Sequence, residues 1–169
     1  FDIQIDRRKK WVEDWEKHLL EEASEDVRSK RKMHPLQLGV DIISEMNDDD
    51  WLVFDGGNTH FWNEIAVNIS GWRGKKLGGI MHPGNYSLLG VGVSFGVSAK
   101  AAHPDKNVIV ISGDGAFLSG GLSIESAFQE GLPIVVIIDN NGGLDCISQQ
   151  QERLFSNGKH YATDFRDIP

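Results

Sequence analysis

From residue 35 onward the apolar positions gather into short runs, each closed by a cluster of Gly, Asp and Asn. Trp51-Leu52-Val53-Phe54, Val108-Ile109-Val110-Ile111 and Ile134 to Ile138 are unbroken apolar stretches of strand length, the pattern of strands buried on both faces of a parallel sheet. Between them the spacing becomes helical. Leu36, Val40, Ile43 and Met46 follow Pro35, which suits a helix start, and further helices are predicted from Thr59 to Asn68, Leu88 to Ala102 and Ser119 to Glu130, the last stopped by Gly131. Residues 70–87 hold Gly71, Gly74, Gly78, Gly79, Pro83 and Gly84 and predict irregular chain. Strands alternating with helices in this way predict βαβ units. The expected fold is α/β, a doubly wound parallel sheet with helices on both faces.

Upstream of this body, Trp11, Trp15, Leu19, Ala23 and Val27 recur every four residues within dense charge and predict a helix with one apolar stripe. The expected organisation is a helical linker over residues 1–34, leading in from a further domain, and a ligand-binding domain over residues 35–169. Because the first residue is Phe1 and not Met, the chain is expected to be a piece of a longer protein.

Charge narrows the choice of partners. Residues 1–34 hold nine acidic and nine basic side chains, so the net charge of −8 comes from residues 35–169, with sixteen acidic against eight basic. The basic blocks Arg7 to Lys10 and Lys30 to Lys32 are balanced by neighbouring acids and read as a solvated helix, not a nucleic-acid arm. An acidic body repels nucleic acid and anionic membranes. No apolar run approaches the length that spans a bilayer. Cys146 is the only cysteine, which excludes an internal disulfide and points to a reducing, cytoplasmic compartment. An anionic ligand would therefore have to be held by backbone amides, helix N-termini or a metal.

All three predicted strands end in such loops: Asp55-Gly56-Gly57-Asn58, Gly113-Asp114-Gly115, and Asp139-Asn140-Asn141-Gly142-Gly143. Ligands of open parallel sheets bind beyond the carboxyl ends of the strands, so the candidate chemistry gathers on one edge. Asp114 offers a carboxylate, Asn141 a neutral amide oxygen, and the Gly-rich loop a main-chain carbonyl. Such a hard, all-oxygen set with little protein charge suits Mg²⁺, which takes about six oxygens and commonly keeps phosphates and water among them. Gly115, without a Cβ, is expected to let a bulky anion approach the backbone.

These residues resemble the fingerprint of thiamine diphosphate-dependent enzymes: Gly113-Asp114-Gly115, then Glu125, Gly131-Leu132-Pro133, an apolar strand and Asn140-Asn141, with 27 positions from Asp114 to Asn141. The resemblance implies that Asp114 and Asn141 coordinate Mg²⁺ through side chains and Gly143 through its carbonyl. It implies that the loop Asp55-Gly56-Gly57-Asn58-Thr59 holds the terminal phosphate, with Gly56, Gly57, Asn58 and Thr59 at the cofactor, and that Gly113, Gly115 and Ala116 belong to the diphosphate loop. Gly84 to Gly92 is similar to the loop over the aminopyrimidine, where the Ser87 carbonyl would accept the pyrimidine amino group and Leu89 would wedge the cofactor into its bent form. Glu125 is expected to be structural. The likeness runs over residues 35–165 and is strongest to acetolactate-synthase-like decarboxylases and carboligases, whose Gln-x-Gln element Gln149-Gln150-Gln151 resembles. On that basis residues 35–169 are expected to be the diphosphate-binding domain, incomplete at its C-terminus.

The departures lie on the substrate side: Asp145 for glycine, Gln150 for tryptophan, and His82-Pro83-Gly84-Asn85 for a stretch of small residues. Other readings carry less. Gly90-Val91-Gly92-Val93-Ser94-Phe95-Gly96 is one residue too long for a dinucleotide fingerprint and follows no clear strand. His60, His82 and His160 are candidate acid–base groups, and His82 is a candidate for the substrate side. Cys146 reads as a small buried hydrophobe, and Trp62 and Trp72 as core or interface.

The expected function is therefore to bind Mg²⁺ and thiamine diphosphate within a 2-oxo acid decarboxylase or carboligase, as a homodimer or homotetramer. A separate pyrimidine-binding domain would supply the activating glutamate, so the fragment alone is expected to be inactive. The alternatives are a lyase or decarboxylase acting on 2-hydroxyacyl-CoA or oxalyl-CoA, suggested by Gly57-Asn58-Thr59, and a non-catalytic cofactor-binding or assembly module.

Overall fold

The computed structural model describes residues 2–29, 33–155 and 159–165. Four strands form one parallel sheet in the order β2-β1-β3-β4, with β1 at Trp51–Phe54, β2 at Gly79–Met81, β3 at Val108–Gly113 and β4 at Val135–Asp139. β1 pairs with β2 through Trp51↔Gly79 and with β3 through Trp51↔Val108, and β3 pairs with β4 through Ile109↔Val135. From β1 the chain steps outward to β2, then crosses back over β1 to β3 and on to β4. That reversal makes the sheet doubly wound, and its switch point lies between the carboxyl ends of β1 and β3.

The strands stand where their apolar runs predict, with one exception in environment. In β3, Val108, Val110 and Ile111 are at most 1% exposed, as a central strand requires. In β4, read from sequence as buried on both faces, Val135 is 55% and Ile138 42% exposed. Among the described residues β4 is the last strand of the order, paired on one side only, and its side chains are correspondingly less covered. β2 lies within the stretch expected to be irregular. Three residues are too few to register a period, and pairing with β1 alone defines them.

The chain divides into two compact units, one of Phe1–Glu45 with Asn63–Lys75 and the other of Met46–Trp62 with Lys76–Pro169. The first unit contains α1 (Asp2–Ser29), α2 (Pro35–Glu45) and the latter part of α3 (Asn58–Trp72). His34 sets the start of α2: its carbonyl accepts from the Leu38 amide at 3.0 Å and its Nδ1 from the Leu36 amide at 3.2 Å. Leu36, Val40 and Ile43 are buried as their spacing predicts. A Cβ on Gly39 would stand 2.7 Å from Asn63 Oδ1 and 2.9 Å from Ala66 Cβ, so α2 and α3 approach closely only because that residue has no side chain. The expected stripe on α1 is not buried where it is described. Trp11 is 66% and Trp15 39% exposed, and their rings stack on each other at 6.2 Å. Ala23 and Val27 fall among side chains outside the described set, as do Lys30 to Lys32 altogether. Trp72, expected in core or interface, is 55% exposed.

In the second unit, α4 (Gly92–Ala102) packs on β1 and β3, and α5 (Asp114–Gly120) and α6 (Ile124–Gln129) pack against α4. The core is Val53, Ala99, Val108 and Val110, with Trp51, Met81, Phe95, Ile134 and Val136 around it. α4 begins four residues later than the expected Leu88, because Gly90 takes a positive φ of 85° and the amides of residues 90–92 are capped by Asp55. The helix expected from Ser119 to Glu130 instead starts at Asp114 and is broken by a 3₁₀ turn at Gly121–Ser123. The pair Gly120-Gly121 weakens helix at that point, and close packing of Gly120 on the Gly90 backbone leaves no room for a side chain. A polar helix, α7 (Asp145–Leu154), follows the Asn140-Asn141 loop without having shown an apolar stripe in the sequence. No described helix is long and apolar enough to cross a membrane.

Candidate functional site

The carboxyl ends of β1, β3 and β4 open into a cavity of about 260 Å³ in the second unit. Gly56, Gly57, Asn58, Thr59, Ser87 and Leu89 line one side of it. Gly113, Asp114, Gly115, Ala116, Asn141 and Gly143 complete the set singled out from sequence, and Leu144, Asp145, Cys146 and Ile147 join them. The three loops are brought together because parallel strands in register end at one level, here beside the switch point.

Asp114 is the residue that ties the loops to each other. It starts α5 directly after β3, its Oδ1 accepts from the Gly115 amide at 2.7 Å, and its Oδ2 accepts from the Gly142 amide at 2.8 Å. The carboxylate thus reaches across to the loop that carries Asn141 and Gly143, and is only partly buried. That loop is braced from outside. The Leu144 amide donates to the Thr163 carbonyl and the Phe165 amide to the Gly142 carbonyl, both at 2.7 Å, with Gly143 and Asp164 paired between them in antiparallel fashion. In this alternation the bonds use residues 142 and 144, so the Gly143 carbonyl is not consumed by the brace.

On the β1 side, Gly57 has a φ of 77°, a conformation glycine adopts without strain, and its amide donates to Ser87 Oγ at 2.8 Å. A Cβ on Gly56 would lie 2.2 Å from the Ser87 carbonyl oxygen, so the 84–89 segment rests directly on the end of β1. Leu89 leans over Gly57, its Cδ2 3.3 Å from where a Cβ would stand, and is 38% exposed. Asn58 opens α3, and its Nδ2 donates to Asp145 Oδ2 at 2.9 Å.

Some residues stand elsewhere than the sequence suggested. Asp55, grouped with the phosphate loop, is absent from the lining and 1% exposed. It accepts from the amides of Gly56, Gly90, Val91 and Gly92 and from Ser112 Oγ, at 2.8–3.3 Å, and so welds β1, β3 and the start of α4. Gly115 lines the cavity as expected and also has no room for a side chain, since a Cβ would lie 2.6 Å from Leu144 Cδ2 and 3.3 Å from Phe165 Cζ. His82 does not line the cavity. Its ring stacks on Phe54 at 4.9 Å and stands 4.9 Å from the ring of His60, and its Nδ1 accepts from the Gly84 amide, which places the proton of the neutral ring on Nε2. Cys146, expected to be buried, is half-buried and lines the cavity. His160 lies between Asp164 Oδ1 and Glu152 Oε1, both at 2.9 Å, and these bonds raise its pKa above the ordinary histidine value, Asp164 contributing most. Leu144, Asp145 and Ile147 had no signal in the sequence beyond Asp145 being an unexpected acid.

The fold and this edge define an α/β domain with a cavity at its switch point, walled by glycine-rich loops and by an acid that bridges two of them. The chain belongs to the family of the thiamine pyrophosphate enzyme C-terminal TPP binding domain, whose model matches residues 55–168. It is 28% identical over 150 residues to 2-hydroxyacyl-CoA lyase 2 of Homo sapiens, covering 83% of this chain and 23% of that protein. To an acetolactate synthase of Arthrospira platensis it is 37% identical over 125 residues, or 74% of this chain and 20% of the relative. Among solved structures it is similar to a thiamine diphosphate-dependent 4-hydroxybenzoylformate decarboxylase of Rhodococcus jostii RHA1, with a TM-score of 0.64 and 28% identity over 81% of this chain and 25% of that one. The chain thus spans between a fifth and a quarter of the length of these proteins.

Proposed function

We propose that this pocket binds the diphosphate of thiamine diphosphate through Mg²⁺, as the cofactor-holding part of a decarboxylase or carboligase acting on a 2-oxo acid. The observation that carries the reading is the Asp114 carboxylate, which spans from the end of β3 to the Gly142 amide and brings Asn141 and Gly143 to the same cavity.

The residues fit such a group. Asp114 and Asn141 offer side-chain oxygens and Gly143 a main-chain carbonyl left over by the brace, a hard set suited to Mg²⁺. The amino ends of α3 and α7 face the cavity through Asn58, Thr59, Asp145 and Cys146, and helix N-termini favour phosphate. Gly113, Gly115 and Ala116 form the floor beside Asp114, while Gly56, Gly57, Asn58, Thr59 and Ser87 line the wall for the terminal phosphate. Leu89, over Gly57, is positioned to press on the rings and favour a bent cofactor.

When bound, thiamine diphosphate supplies an electron sink for breaking a carbon–carbon bond next to a carbonyl. The chain's own residues contribute positioning: they anchor one end of the cofactor and limit the conformations of the other, which lowers the entropic cost of reaching a reactive geometry. We assign activity to an assembly in which a pyrimidine-binding domain of the same or another subunit, in a homodimer or homotetramer, meets this pocket, and we place that assembly in the cytoplasm. A lyase acting on 2-hydroxyacyl-CoA is the second reading, favoured by the likeness to the human lyase over most of the chain.

Calorimetric titration of the full-length protein with thiamine diphosphate and Mg²⁺ tests the site. Asp114→Ala is expected to weaken binding roughly a hundredfold while the protein stays folded. Unchanged affinity would refute the assignment. A panel of 2-oxo acids and 2-hydroxyacyl thioesters separates the two enzymatic readings by which class is turned over.

A further inference from the structure

Residues 84–89 run beside the end of β1 and bring Ser87 and Leu89 to the cavity. Ser87 closes the 3₁₀ turn Gly84–Tyr86 with its amide donating to the Gly84 carbonyl at 2.9 Å, and it does so at φ 47° and ψ 40°. That left-handed conformation is strained for a serine and free of strain for a glycine. The hydroxyl has a use there: its Oγ accepts from the Gly57 amide at 2.8 Å, across 30 positions of sequence. Further along, the amides of Gly90, Val91 and Gly92 donate to the Asp55 carboxylate at 2.9–3.3 Å. Leu88 and Leu89 lie between these two attachments. They are 61% and 38% exposed, so apolar burial by itself holds them weakly.

We propose that Ser87 is a positioning residue: its hydroxyl latches residues 84–89 onto the loop after β1 and so fixes where Leu89 stands over the cavity. The inference rests on the proposed function, in which Leu89 presses on the rings of the cofactor. A glycine at 87 would make the same turn without strain and without the latch. The serine accepts the strain, and the bond to Gly57 holds it in the conformation that aims the two residues after it. Gly57 has a φ of 77° and no side chain, so Leu89 can close down on it, its Cδ2 3.3 Å from where a Cβ would stand. One loop thus receives both the latch and the side chain that the latch positions. Leu89 is then ordered before a ligand arrives, and binding does not have to order it.

Two variants separate the hydroxyl from the backbone. Ser87→Gly removes the hydroxyl and relieves the strain, whereas Ser87→Ala removes the hydroxyl and keeps the strain. Hydrogen exchange of the full-length protein without cofactor, read by mass spectrometry, is expected to rise about fivefold in peptides covering residues 84–89 of both variants and to stay at the wild-type rate in peptides covering β3. Calorimetry in excess Mg²⁺ then compares thiamine diphosphate with inorganic pyrophosphate, which lacks the rings that Leu89 would touch. Both variants are expected to lose about fivefold more affinity for thiamine diphosphate than for pyrophosphate. Equal losses for the two ligands would put the hydroxyl to work at the phosphate end and overturn the proposal. So would an effect confined to Ser87→Gly, which would report the added freedom of glycine, or exchange unaltered in both variants. Failure of the folded wild type to bind thiamine diphosphate is a different result: it would sink the cofactor reading, while the exchange rates still decide whether the latch holds.

Discussion

Asp55 and Asp114 invite comparison because the sequence presents them alike. Each follows a buried apolar strand, each precedes glycine, and their strands are neighbours in the sheet. Their fates diverge. Asp55 is closed off from solvent, with four backbone amides and a hydroxyl directed at its two oxygens. Asp114 takes one amide on each oxygen, stays partly exposed and borders the cavity. The first carboxylate is saturated and holds the framework; the second retains acceptor capacity at the border of the cavity, where the proposed ligand would meet it. An Asp-Gly at a strand end thus marks a place where the chain turns, and what arrives from elsewhere decides whether the acid builds or binds.

The comparison breaks hardest at Asp55. Asp55→Ala strands several buried donors at once and is expected to cost about 3–5 kcal/mol in urea denaturation of the full-length protein. Asp114→Ala leaves donors that water can reach, and its stability loss is expected to stay near 1 kcal/mol. Equal losses would mean that the two acids do the same work. A smaller effect comes from crowding each acid's surroundings. A Cβ on Gly92 would stand 2.7 Å from Asp55 Oδ2, against a carboxylate that has nowhere to go, and Gly92→Ala is expected to cost about 2 kcal/mol. Gly115→Ala, beside Asp114, meets the movable tip of Leu144 and is expected to cost about 1 kcal/mol. Paired thermal melts check the order.

The smallest effect is one of pH and touches only the Asp114 side. The loop that receives Asp114 is braced by residues 163–165, and His160, between Glu152 and Asp164, ties that segment to α7. Its pKa is raised by those bonds, so the protonated ring is favoured in the folded protein. The resulting stabilisation is complete below about 6.5, where the unfolded histidine is also protonated, and is lost as pH climbs through the higher folded midpoint. NMR titration of His160 is expected to show that raised midpoint. In a His160→Gln variant it is the acid-side part of the stability difference that should vanish on going alkaline. A lowered midpoint would contradict the geometry.

The pattern of the sequence reached the α/β class, most of the strand cores and the loops at the strand ends that carry Asp114 and Asn141, while Gly56 to Thr59, Ser87, Leu89, Ala116 and Gly143 were reached through the family resemblance. Apolar runs between glycine-rich loops report burial directly, and parallel strands deliver their ends to one edge whatever the details. Four things were decided only in three dimensions. β4 is half-covered, being last in the strand order among the described residues; β2 exists because β1 pairs with it; Asp55 is a weld because residues 90–92 fold back onto it; and Asp145 faces the cavity because Asn58, 87 positions earlier, meets it there. The division has one physical cause. Periodicity and turn chemistry are local and can be read along the chain, whereas a side chain's partners are set by contacts between residues far apart in sequence, which exist only once the chain has folded.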